Sequence, residues 1–506
     1  MRFEFGLGPS DRVRRHERCP VCRLLVLSDL HGSATSPAEP VIERRIVKVD
    51  IDNLDDVLAR FAPAIQLGPD AGSERVEVRR FDDFHPDALV GSLPAFRRLR
   101  DLRTRLEHPG TFAGAVEELQ AGAPEAPGST PAPLETGSIA APVTGAMASP
   151  PNGNADQPLL ERLLGAKGPA RATESPASLQ PQSAVAGAAD ALIRQAIAPH
   201  VVPAPSPQLP QMLAAVDAAM TDLMRAVLHD RGFQDVEAAW RAVQWLVSTL
   251  ELGETLELHL LHVTRDELAA EAVQGGDLWR RLVERESRPD GGLEFSALIG
   301  NFEFASSADE VAVLEQMGTL AAALGAPFIA GASTALLGAS NLASQPHPRE
   351  WTPLDADAQA RWQALRAHPA AAHVGLALPR FLLRLPYGQR TDPVAAFAFE
   401  EQPVRPDHES FLWGNAAFAY AVVVARTLDP EGDPAAVGSI ERLPAYVFTT
   451  EDGPRLQPPA EINPSEAAVA AIQAHGLMPL ISFRDRDAVR LVTPHAIANP
   501  PGDLLA

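Results

Sequence analysis

Three short stretches hold residue types whose spacing could do chemistry. Asp29 and His31, in the run Ser28-Asp29-Leu30-His31-Gly32, follow an apolar stretch that reads as a buried strand over residues 22–30. An Asp and a His at a strand end can open a two-metal centre, in which both ions clamp phosphate oxygens. Such a centre needs further carboxylate, Asn and His ligands downstream. No Gly-Asp-x-x-Asp or Gly-Asn-His follows, and the two Gly-Asn pairs, Gly300-Asn301 and Gly414-Asn415, run on into Phe302 and Ala416. Cys19 and Cys22 form a lone C-x-x-C, half of what zinc requires, with only His16 and His31 nearby to complete it. The pair precedes a strand instead of opening a helix after one, so ordinary cysteines are the better reading. Arg384 beside Tyr387 could bind an anion, but its leucine-rich company favours packing. Neither G-x-x-x-x-G-K-[ST] nor G-x-G-x-x-G occurs, which argues against nucleotide-driven work.

Around these residues the sequence lays out α/β architecture. After the strand at 22–30, residues 42–50 and 75–81 read as second and third strands. A short helix opens at Asp52, with Leu54, Val57, Leu58 and Phe61 on one face. A helix broken at Pro94 follows. Residues 189–250 are helical by their three- and four-residue apolar spacing. Next come strands at LELHLLHV, FSALIG and PFIAGA, with Thr264/Glu267 and Ser307/Glu310 as capping boxes for the helices between them. Late in the chain, LPAYVF, a helix from Ser465 and GLMPLISF repeat the alternation. Strand, capped helix, strand is the signature of an α/β sheet.

The stretch 373–421 is the densest. Val374, Leu376 and Leu378 alternate as a strand. Pro379 and Pro386 bracket PRFLLRLPYG, which reads as an extended, edge-like segment. Arg380 and Arg384 sit among leucines and must find carboxylates, because an unpaired buried charge costs several kcal/mol, roughly. Asp392, Glu400 and Glu401 are the near candidates. Asp407 or Ser410 is then expected to cap a helix with Trp413, Gly414, Ala416 and Ala417 on its face.

Composition narrows the function classes. A formal charge of −22 argues against non-specific nucleic-acid binding. Two cysteines give no disulfide framework, and a reducing, cytoplasmic setting follows as the default. No signal peptide is visible. Residues 317–341 carry no charge, yet Pro327 and the small residues split them into a helix end and a buried strand, not a membrane span. Residues 121–187 are Ala-, Pro-, Gly- and Ser-rich and cannot bury enough surface to offset chain entropy, so a disordered linker is expected. Within it, residues 158–167 form a leucine-rich helix carrying Leu159, Leu160, Leu163 and Leu164. Three regions result: 1–120, the linker at 121–187, and 188–506.

Two resemblances are carried by specific letters. LPRFLLRLPYG, FEE and LWGNAAFAYA, with FQDVEAAWRAVQWLV upstream, resemble the large subunit of the type VI secretion contractile sheath. LLVLSDLHG, VDIDNLDDVLARFAP and FDDFHPDALVGSLPAFRRLRDLRTRLEHP resemble its small subunit, over roughly residues 3–120. The resemblance implies a fusion of both subunits with a joint α/β core and a structural role, without catalysis or cofactor. It implies other sheath subunits, an inner-tube protein, baseplate components and a recycling AAA+ unfoldase as partners, the last gripping the leucine helix. It marks Arg380, Arg384, Pro386, Tyr387, Gly388, Trp413, Gly414 and Asn415 as a structural core motif. The family runs on past the point where this chain stops, so a protein that forms tubes only alongside a full-length large subunit is expected. A non-polymerising adaptor, cap or baseplate-associated subunit is the alternative. A second is a calcineurin-like metallophosphoesterase, whose opening motif Ser28–Gly32 resembles.

Overall fold

A computed structural model describes residues 21–32, 39–108, 111–121, 209–286, 292–403, 406–428, 438–451, 453–483 and 486–505. Cys19, nearly all of the expected linker and its leucine helix lie outside these residues.

The first half contributes β1 (Cys22–Ser28), β2 (Val47–Val49), α1 (Leu54–Phe61), the hairpin β3 (Ala64–Gln66) and β4 (Arg75–Glu77), and helices α2 (Pro86–Ser92), α3 (Pro94–Glu107) and α4 (Phe112–Ala121). The second half opens with helices α5 (Leu209–Leu228) and α6 (Arg231–Thr249). It continues with β5 (Leu256–His262), α7 (Arg265–Glu271), β6 (Ala297–Phe304), α8 (Ala308–Leu324), β7 (Phe328–Ala332), α9 (Ala356–Ala367) and β8 (Val374–Leu378). The short strands β9 (Phe381–Leu382) and β10 (Trp413–Gly414) precede α10 (Ala416–Leu428). Then follow β11 (Ser439–Ile440), the hairpin β12 (Tyr446–Thr450) and β13 (Gly453–Gln457), α11 (Glu466–Ala474), β14 (Met478–Ser482) and β15 (Val489–Leu491).

One nine-stranded sheet runs β11-β15-β14-β8-β7-β6-β1-β5-β2. β1 lies in its interior, parallel to β5 on one side and to β6 on the other, with Leu24 opposite both Leu258 and Ala297. The physical basis is legible in the strand. CRLLVLS is apolar on both faces, as a parallel strand covered from both sides must be. Leu24 and Val26 join the core under α1, α3, α5, α6 and α10, while Leu25 and Leu27 join the core under α7, α8 and α9. Gly300 in β6 lets the sheet close on β7, since a Cβ there would meet the Phe328 ring at 2.6 Å.

Several local expectations hold. Proline splits α2 from α3, Thr264 and Glu267 form the capping box of α7, and Ser465 caps α11. Ser307 caps α8 by accepting from Glu310 N, while its hydroxyl donates to the Glu310 carboxylate at 2.7 Å. Among the described residues, no helix is long and apolar enough to cross a membrane.

Others are corrected. The second strand shortens to Val47–Val49, because the Arg44 guanidinium turns inward to Glu267 and to the His262 carbonyl and draws residues 41–46 off the sheet. The third strand shortens to Arg75–Glu77 and pairs with Ala64–Gln66 outside the main sheet. Asp83 collects the amides of Arg79 and Arg80 and turns the chain there. The long helix breaks at Asp230, whose carboxylate accepts from Phe233 N and starts α6. PRFLLRLPYG is extended but is no edge: Phe381 and Leu382 are fully buried and paired with β10, and on the far side Leu382 N donates to Pro459 O and Phe381 bridges Ala460. Asp407 caps only a single 3-10 turn, and Trp413 and Gly414 are strand, not helix. The helix starts at Ala416, where Asn415 Oδ1 accepts from Ala417 N.

Candidate functional site

The two buried arginines find partners that local spacing does not reveal. Arg384, its side chain 9% exposed, donates from Nε to Glu237 Oε1 at 2.9 Å and from Nη1 to Glu401 Oε2 at 2.7 Å. Arg241 joins through Nε to Glu237 at 2.6 Å and through Nη2 to the Tyr387 hydroxyl at 2.9 Å. Tyr387 N donates to Glu401, and the Arg384 guanidinium lies 4.2 Å over the Tyr387 ring. Two guanidiniums and two carboxylates thus cancel inside the protein. Burial raises the Glu401 carboxyl, but Arg384 and His229 together outweigh it and hold Glu401 at about 2. Burial also pushes the Tyr387 phenol up to about 12, so it stays protonated as the partner of Arg241.

Arg380 pairs with Glu461 through Nε at 2.9 Å and Nη2 at 2.6 Å, and reaches Glu409 at 3.3 Å. His408 Nε2 lies 3.0 Å from the same Glu461, and Trp413 closes over the guanidinium. This cluster edges a cavity of about 170 Å³ at the carboxyl ends of β6, β7 and β8.

Of the expected carboxylates, Glu401 is a partner of Arg384. Glu400 instead accepts from Gln389 N beneath Gly388, where a Cβ would sit 2.2 Å from its oxygen. Asp392 lies 3.7 Å from His85. Pro386 is buried at the turn where the Thr391 hydroxyl bonds its carbonyl. Gly414 packs on Leu383, and Asn415 Nδ2 donates to Phe302 O. The motif residues are therefore a packed support for α10 and β9. Glu237, Arg241 and Glu461 were missed. One signal existed for the first two: Glu237 falls on the apolar stripe Phe233–Val236–Trp240–Val243, four residues before Arg241.

Asp29 and His31 follow the carboxyl end of β1, the strand beside β6, on the same edge of the sheet. Asp29 Oδ1 accepts from the amides of His31 and Gly32, and His31 Nδ1 donates to Phe61 O at 2.8 Å. Leu30 N donates to His262 Nδ1 at 3.0 Å, and Trp240 Nε1 donates to Leu30 O. Among the described residues, no group of three or more His, Cys, Asp and Glu is arranged to hold an ion.

These contacts also weld the halves. Glu257 of β5 takes Arg23 at 2.7 Å and Lys48 at 2.8 Å. Asp87 at the start of α2 accepts from the amides of Ala395 and Ala396. Gly68 N donates to Asp230, and Arg103 pairs with Asp217.

Comparison with known proteins matches this division. Residues 210–497, over half of the chain, match the VipB family model, an EvpB-type tail sheath N-terminal domain. The chain belongs to the type VI secretion tail sheath family. Residues 19–121 match the VipA model of the type VI secretion system. The sheath protein TssC1 of Pseudomonas aeruginosa is 32% identical over 304 residues, covering 57% of this chain and 61% of the relative. The sheath protein TssB1 of the same organism is 27% identical over 94 residues, covering 17% of this chain and 55% of the relative. The chain therefore spans less than two thirds of either relative's length. Small- and large-subunit sequences meet in one polypeptide, and the small-subunit part supplies β1 to the interior of a sheet otherwise built mostly by the large-subunit part.

Proposed function

We propose that this protein is a structural subunit of a type VI secretion contractile sheath, with small and large subunits joined in one chain. The observation that carries this reading is the insertion of β1 between β5 and β6, flanked by the matches to both sheath families. A small-subunit strand in that position cannot leave without splitting the sheet, so the joined halves act as one building block. Joining them fixes a one-to-one ratio and raises the effective concentration of one half for the other. A tube then requires a heterologous interface that repeats without closing.

Within this reading the partners are other sheath subunits, an inner-tube protein, baseplate components and a recycling AAA+ unfoldase, and the setting is cytoplasmic. The unfoldase contact is assigned to Leu159, Leu160, Leu163 and Leu164. Catalysis by this chain has no part in the reading. The test is to label the purified protein and mix it with sheath subunits and inner-tube protein under the electron microscope. Label along regular tubes is the expected result, and tubes that exclude it under all mixing ratios overturn the reading. For the leucine stripe, Leu160→Asp with Leu163→Asp abolishes unfoldase binding without changing the melting temperature. A fall in melting temperature of several degrees would place the stripe in the core instead.

A further inference from the structure

The end of β1 is tied to the end of β5 by a histidine pair that the sheath role does not use. Ser28 and His262 are register partners, so the two strands finish together. His262 comes from the half that matches VipB, and Leu30 and His31 come from the half that matches VipA. The rings of His31 and His262 meet edge to face at 4.4 Å.

The hydrogen bonds fix the tautomer. His262 Nδ1 accepts from Leu30 N, so the neutral ring carries its proton on Nε2. That Nε2 is buried and has no hydrogen-bond partner among the described residues. A second proton can therefore go only to Nδ1, where it would face the Leu30 N–H. The acceptor becomes a donor opposed to a donor, the bond between the halves is lost, and a charge appears in a site 3% exposed.

The surroundings offer that charge little. Asp29 Oδ1 lies 3.6 Å from Nδ1 but already accepts two loop amides. Glu267 of α7 is taken by Arg44, whose guanidinium also bonds the His262 carbonyl. From α1 comes Phe61 and from α6 Trp240. Asp235 of α6 is exposed at its side chain, and desolvation pushes its carboxyl toward the neutral form. Burial, then His31 and Arg44, hold His262 down at about 3, and burial lowers His31 as well.

We propose that His262 is a proton-sensitive latch between the two halves, and that its protonation at Nδ1 frees the end of β1 from β5. The sign follows from linkage. The ring is neutral while the halves are joined and returns to its ordinary titration near 6.5, roughly, once released, so the joined state excludes the proton and loosens as the pH falls below that value.

Amide hydrogen exchange of the full chain at about pH 7 and about pH 5.5, corrected for intrinsic rates, tests this. The opening equilibrium at the end of β1, Ser28–Leu30, rises about eightfold across that interval, as expected for one group near 6.5, while the amides of β7 do not change. His262→Asn, whose Oδ1 takes the place of Nδ1 as a non-titrating acceptor, abolishes the rise. An equal rise in the variant, or none in the wild type, overturns the proposal. Should the variant fail to fold, ring nitrogen NMR of the wild type decides. A neutral Nε2–H ring at about pH 5.5 supports the latch, and a charged ring with β1 amides still protected refutes it.

Discussion

The Arg384 cluster and the His262 junction are both buried and polar, and both tie distant segments together, yet they are built on opposite terms. Around Arg384 each charge has an opposite charge, and the network ties α6 to the loop before β10, within the large-subunit part. At His262 a neutral ring uses one nitrogen, leaves the other without a partner among the described residues, and spans both parts of the chain. A satisfied network in low dielectric holds its protonation state over a wide pH range. A half-satisfied one concentrates its sensitivity in a single proton. Rigidity is thus placed within one half and responsiveness between the halves.

The comparison can be broken most directly at Arg384. Arg384→Met leaves Glu237 and Glu401 facing each other without their shared cation, and is expected to cost about 3–5 kcal/mol in urea unfolding. Arg384→Lys is expected to fall between the variant and the wild type, since an ammonium cannot fork across two carboxylates. At the sheet itself, Gly300→Ala drives a methyl group into the Phe328 ring, for an expected loss of about 1–3 kcal/mol by the same measurement.

The pH profile of unfolding sharpens the contrast. Glu257, Glu267 and Glu401 are each held at about 2 in the folded protein, where burial is overcome by Lys48, Arg23 and His259, by Arg44 and Thr264, and by Arg384 and His229 respectively. Depressed carboxyls stabilise fully above their unfolded values near 4.3, roughly, and that stability is lost as pH falls from there toward 2. Loss of stability between about pH 6.5 and pH 4.5 therefore belongs to the histidines held neutral, His31, His259, His262 and His495. Titration of the unfolding free energy should show these two phases, and a single carboxylate phase would contradict the assignment.

Smaller effects come from a cap and a surface pair. Thr264→Ala removes the hydroxyl that accepts from Glu267 N and is expected to cost about 1 kcal/mol. Asp217→Ala breaks the half-exposed pair with Arg103 across the two parts, for about 0.2–1 kcal/mol, and less at high salt.

Local pattern made much of the molecule legible. The apolar runs of β1, β5, β6, β7 and β8 announced buried strands, and the side chains of Thr264, Ser307 and Ser465 announced helix starts, because periodicity and capping are properties of neighbours in sequence. Glu401 was legible as an arginine partner for the same reason, lying 17 residues from Arg384. Asp407 misled, because capping chemistry also serves a single 3-10 turn, and the chain there needed two strand residues before α10 could begin.

Strand order was not written locally. A strand buried on both faces looks the same wherever it sits, so nothing within CRLLVLS says that it enters between β5 and β6 and not at an edge. The partners of buried charges were equally hidden. Glu237 reaches Arg384 across 147 residues, and His262 reaches Leu30 across 232. Sequence states that a buried guanidinium needs carboxylates and that a buried imidazole needs a donor. Which ones arrive within 3 Å, roughly, is decided by how the helices stack on the sheet, and that packing exists only in the folded chain.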